Sequence, residues 1–119
     1  MVADKNNKIY TELLDYMKSY YPALSGGTAF SGKVELPYLH FIFLDAPTRL
    51  TTLSNTEDGV NLAFQIDIYT DSGLTMARKM AYDVRNYMIE MGFRCVTFMP
   101  IVQPQNVSRF VGRYERLDV

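Results

Sequence analysis

Chemistry at neutral pH most often needs a histidine, and the chain has one, His40. It stands between Leu39 and Phe41, and no motif places a nucleophile and an orienting carboxylate with it. It reads as a packed or interface side chain, with a His-and-carboxylate acid–base pair as the enzymatic alternative. Cys95, the one cysteine, lies in Phe93-Arg94-Cys95-Val96. A nucleophilic thiol needs a charged neighbour to lower its pKa, whereas a small thiol in an apolar extended run packs. A single cysteine forms neither an internal disulfide nor a cysteine-based metal cluster, which fits a reducing compartment. Glu57, Asp58, Asp67 and Asp71 lack the spacing of a calcium loop, so no metal is expected. Ser25-Gly26-Gly27-Thr28 has no Gly-Lys-Ser/Thr after it and no helix start, so it reads as a loop rather than a phosphate cradle. These residues together predict a protein that is not an enzyme and carries no cofactor.

The charged residues point the same way. Twelve Lys plus Arg stand against thirteen Asp plus Glu, a formal net charge of -1, so no global basic field exists to hold nucleic acid or an anionic membrane. Arg109, Arg113 and Arg116 lie close together, and the period of two puts Arg109, Arg113 and Glu115 on one strand face. That composition suits ion-paired or interface arginines better than phosphate contacts. Nine Tyr and seven Phe without Trp are a further signal, with Tyr82 and Tyr87 falling off the main apolar stripe of their segment, where they suit contact with partners.

The elements that must carry these residues follow from periodicity. Ile9, Leu13, Tyr16, Met17 and Tyr20 predict a helix over Lys8 to Tyr21, stopped by Pro22, with residues 22–36 irregular. Tyr38 to Leu44 is short, aromatic and branched, and reads as a central strand. Thr51 to Gly59 carries turn formers and reads as a hairpin arm or loop. Leu62, Phe64, Ile66 and Ile68 alternate with Ala63, Gln65, Asp67 and Tyr69, the pattern of a strand with one face on a core. Asp71 or Ser72 is placed to cap a second helix with the stripe Leu74, Ala77, Ala81, Val84, Met88 and Met91. Gly92 suits its left-handed exit. A strand over Phe93 to Met99, broken by Pro100 and Pro104, precedes a last strand over Ser108 to Leu117. The 119 residues therefore predict one α+β domain over 1–119, of order α-β-β-α-β-β, with helices packed on one face of a mainly antiparallel sheet. No apolar run approaches the roughly 18 residues of a membrane span, and Met1 to Asn7 has no basic-then-apolar pattern, so neither insertion nor classical secretion is expected.

In that frame the chain resembles the phage tail terminator or tail-completion proteins, also known as head-tail joining or minor capsid proteins. The resemblance is carried by the strand Leu62-Ala63-Phe64-Gln65-Ile66-Asp67-Ile68-Tyr69-Thr70 and the helix through Ala77-Arg78-Lys79-Met80-Ala81-Tyr82-Asp83-Val84. The turn Met91-Gly92-Phe93-Arg94 and the closing Arg109-Phe110-Val111-Gly112-Arg113-Tyr114-Glu115 complete it. It implies a structural virion protein at the head-to-tail junction, a homo-oligomer that is usually a hexameric ring. Such a ring terminates the tail tube and docks to the head connector, with DNA only passing through it. It also implies location in the virion, and in the host cytoplasm during assembly. A cyclic ring needs two different patches on each subunit. Thr51, Thr52, Asn55, Glu57 and Asp58 of the arm are expected on one, and Arg109 and Arg113 on the other. The alternative is a non-enzymatic ligand- or peptide-binding module of a cellular protein that uses the sheet or its edge.

Overall fold

The computed structural model describes residues 2–28, 35–44, 60–101 and 106–118. Helix α1 spans Val2–Tyr20, and a short strand β1, Ser25–Gly27, precedes β2, Tyr38–Leu44, and β3, Val60–Thr70. Helix α2, Leu74–Glu90, then leads into β4, Arg94–Ile101, and β5, Ser108–Asp118. The class is α+β, as the periodicity predicts, but the order is α-β-β-β-α-β-β and the sheet is mixed.

The added element is β1, where the sequence reads as a loop. It pairs parallel to β2, Ser25 opposite Tyr38 and Gly27 opposite His40. Two glycines give no alternating pattern to read, yet they suit the place: a Cβ on Gly26 would come within 2.8 Å of Leu14 Cδ1 on α1. The missing side chains let this strand lie beneath the helix. Of the segment expected to be irregular, residues 29–34 lie outside the described residues.

The sheet runs β1-β2-β3-β5-β4. β2 lies inside it between β1 and β3, as expected of a central strand, and β3 at its middle pairs antiparallel with β5 from Val60 opposite Asp118 to Thr70 opposite Ser108. Even-numbered residues Leu62, Phe64, Ile66 and Ile68 enter the main core with Leu39 and Phe41 of β2, as the alternation predicts. Ile9, Leu13 and Met17 of α1 and Met80, Val84 and Met88 of α2 close over them from the same side. Ala63, Asp67 and Tyr69 on the other face are buried too, so β3 does not present one wet face.

α1 starts at Val2 rather than near Lys8; no Gly or Pro interrupts residues 2–7, so the helix propagates back from its apolar stripe. Neither Asp71 nor Ser72 caps α2. The cap position is Gly73, with φ 102° and ψ 162° and no side-chain cap bond, and the Ser72 amide donates to Thr70 Oγ1 at 3.1 Å. Leu74, expected on the core stripe, is exposed; the buried set is Ala77, Met80, Ala81, Val84 and Met88. The exit is as predicted: Gly92 has φ 93°, its amide donates to Ile89 O at 3.0 Å, and the Phe93 amide donates to Met88 O at 2.9 Å. This paired 5→2 and 6→1 arrangement satisfies the last carbonyls and drops Phe93 into the core. β4 runs through Pro100 instead of stopping before it, because β4 is an edge strand and needs no outward donor there. A bulge at Val96 shifts its register against β5.

Candidate functional site

No helix among the described residues covers the face opposite α1 and α2. The register brings one set of odd- and even-numbered residues together there. His40 is opposite Asp67, Tyr38 opposite Tyr69, Gln65 opposite Arg113, and Tyr69 opposite Arg109. Arg109 and Arg113 thus share a face, as the period of two requires. Arg116 lies on the other face. There its guanidinium sits 4.5 Å from the centroid of Phe93 and donates to Met91 O at 2.7 Å, the end of α2 where a cation is favoured.

Asp67 is the hub. Arg109 donates through Nη2 at 2.7 Å and Nε at 3.2 Å to Asp67 Oδ2, and Gln65 Nε2 donates to Oδ1 at 3.2 Å. Arg113 Nε in turn donates to Gln65 Oε1 at 2.9 Å. The carboxylate is fully buried, and its partner Arg109 reaches the surface while stacking 5.4 Å from the Tyr69 centroid. Burial pushes the Tyr69 phenol above its usual range, against the opposing pull of Arg109. Of the two arginines expected at an interface, Arg109 is therefore tied down and Arg113 is exposed, held to Gln65. Glu115, on the same face, pairs with the exposed Arg94 at 2.7 Å.

The structure brings His40, the histidine weighed as a base, across from Asp67, a buried carboxylate, and its ring lies 6.3 Å from that of Tyr38. Asp67 nevertheless has its oxygens engaged by Arg109 and Gln65. That arrangement orders the side chains of this face. Cys95 is half-buried against the core, and its Sγ donates to Thr97 O at 3.4 Å. Among the described residues no three His, Cys, Asp or Glu side chains converge on a point a metal would occupy. No helix among them is long and apolar enough to cross a membrane. Thr51, Thr52, Asn55, Glu57 and Asp58 of the expected arm lie outside the described residues.

The tyrosines divide. Tyr16 stacks on Tyr87 at 4.7 Å, and Tyr21 Oη donates to Asp83 Oδ2 at 2.5 Å, so these residues join α1 to α2. Tyr87, read as a partner-facing residue, is therefore part of the fold. Tyr82 remains exposed and packs edge-on against Phe98 of β4 at 4.9 Å. Sequence reasoning missed Gln65 and Asp67 as partners of the arginines, because only the β3–β5 register shows which odd positions meet. It also missed Arg85, whose guanidinium stands over Phe98.

The chain matches no protein-family model and no curated protein sequence.

Proposed function

We propose that this chain is a structural protein of the phage head-to-tail junction, assembling as a ring that ends the tail tube and receives the head connector. It works without chemistry of its own, and the homo-oligomer, hexameric in the family it resembles, surrounds the passing DNA. The observation that carries this reading is the arginine face ordered on one side of the sheet. On the face that no described helix covers, Arg113 is exposed beside the buried Asp67–Arg109 pair, and the second patch is expected from the Thr51 to Gly59 arm. Head-to-tail closure requires two such dissimilar patches on each subunit. A face ordered by an ion pair and a Gln bridge is also preorganised, which lowers the entropy cost of association.

Light scattering of the purified chain across a wide concentration range, with negative-stain imaging of the same samples, tests the proposal. Closed rings, or recruitment of the chain to one end of purified tail tubes, are the expected results. A monomer at every concentration that also ignores tail tubes overturns the reading. Deleting Thr52 to Asp58 separately tests the arm, whose removal is expected to stop assembly while leaving a folded monomer.

A further inference from the structure

The flank of α2 beside the β4 edge carries a feature that the ring reading leaves unused. Leu74, Arg78, Tyr82, Arg85 and Ile89 follow at spacings of four, four, three and four, one stripe of the helix turned away from its buried face. Leu74, Tyr82 and Ile89 are all exposed large apolar residues. Below the stripe, a hollow of about 230 Å³ is lined by Tyr82, Arg85, Cys95, Val96, Thr97 and Phe98. Arg85 is half-buried there, its Cζ 5.4 Å from the Phe98 centroid and 6.0 Å from that of Tyr82. Among the described residues no carboxylate and no other acceptor engages its donors. Two aromatic rings thus flank a guanidinium whose fork donates to no hydrogen-bond partner among the described residues, although its charge lies close enough to act on the Tyr114 phenol.

The outer edge of β4 forms the rim of the same hollow. No described strand pairs with it, and Val96, at the bulge, stands 52% exposed. A bulge commonly turns an edge away from indiscriminate pairing, and here the bulge residues Cys95 to Thr97 line the hollow beside Tyr82.

We propose that this edge and hollow form a docking site for an extended segment of another protein that carries a Glu or Asp. The segment adds to β4 through its backbone, and its carboxylate enters the hollow to accept the fork of Arg85. Charge complementarity selects this occupant. A second copy meeting β4 to β4 about a two-fold axis brings the Arg78/Arg85 stripe onto itself, like charge against like. The inference does not rest on the ring reading.

The test uses the full chain and three end-blocked synthetic peptides, each an alternating Thr/Val strand. One carries a single central Glu, one carries Gln in its place, and one is the Glu peptide methylated on alternate backbone nitrogens. Titration calorimetry and amide-shift mapping are the readouts. The Glu peptide is expected to bind about tenfold more tightly than the Gln peptide, with shifts confined to β4 and the Tyr82 flank of α2. Arg85→Gln should erase that difference, Arg85→Lys should restore part of it, and backbone methylation should abolish binding. Equal affinity for the Glu and Gln peptides, or discrimination that survives in Arg85→Gln, overturns the proposal. So does self-association of the chain through β4 that Arg85→Glu abolishes, since the edge then belongs to a second copy.

Discussion

At the scale of single residues, Asp67 is a fully buried carboxylate, and such a group is costly to disturb. A buried carboxylate is tolerated only while its donors are in place, and Arg109 supplies two of them. Arg109→Ala should therefore destabilise the chain by about 3 kcal/mol in urea unfolding, because it strands the carboxylate rather than because the pair itself contributes that much. The combined Asp67→Ala/Arg109→Ala variant should lose clearly less than the sum of the two single losses, the signature of coupled partners. A contrasting case is Gly112, which lies under the Tyr114 ring. A Cβ there would come 2.5 Å from Tyr114 Oη and 2.8 Å from its ring carbon, and Tyr114 is itself buried with no room to swing away. Gly112→Ala should cost about 2 kcal/mol by the same assay, an overpacking loss.

Elements meet their surroundings at their ends, and α2 shows how differently two ends can be built. Its C-terminus is closed by backbone bonds from Gly92 and Phe93 together with the side chain of Arg116. Its N-terminus has no side-chain cap and relies on the conformation of Gly73. With φ 102° and ψ 162°, Gly73 occupies a region that residues with a Cβ scarcely enter, although nothing lies within 4 Å of where that Cβ would stand. Gly73→Ala should therefore lower stability by about 2 kcal/mol through backbone strain alone, with the helix content by circular dichroism unchanged. A purely steric account predicts no loss, so the measured difference separates the two causes. The α1–α2 contact is aromatic and polar together: Tyr16 on Tyr87, and Tyr21 on Asp83.

The tyrosines also set a property of the whole molecule. Burial raises the phenols of Tyr10, Tyr16, Tyr21, Tyr69, Tyr87 and Tyr114 above the ordinary value of 10.0, with Asp83 adding to the effect at Tyr21 and Cys95 at Tyr114. Folded chain and unfolded chain bind the same number of phenolic protons well below pH 10.0, so these groups leave stability flat there. Above it the unfolded chain loses its protons first, and stability falls as pH rises toward the displaced range. The urea midpoint should accordingly be lower at about pH 11 than at about pH 8, and Tyr21→Phe should reduce that drop. An absorbance titration should show these six phenols ionising at higher pH in the folded chain than in urea.

Local pattern was enough to place α1, β2, β3, α2 and β5, because periods of two and of three to four report which side of an element is apolar without reference to any neighbour. The Gly92 exit was legible for the same reason: its conformation is a demand of one residue. β1 was not, since two glycines carry no period and the strand is defined only by its pairing with β2, close beneath α1 at Gly26. Pro100 within β4 and the uncapped start of α2 depended on an edge position and on backbone angles that neighbouring types do not encode. Arg109 and Arg113 could be put on one face from sequence, but their partners could not. Asp67 lies 42 positions from Arg109, and Gln65 lies 48 from Arg113. Sequence alone determines which residues an element turns inward; which elements meet, and in which register, is a property of the assembled sheet, because pairing energy is shared between segments that no local pattern relates.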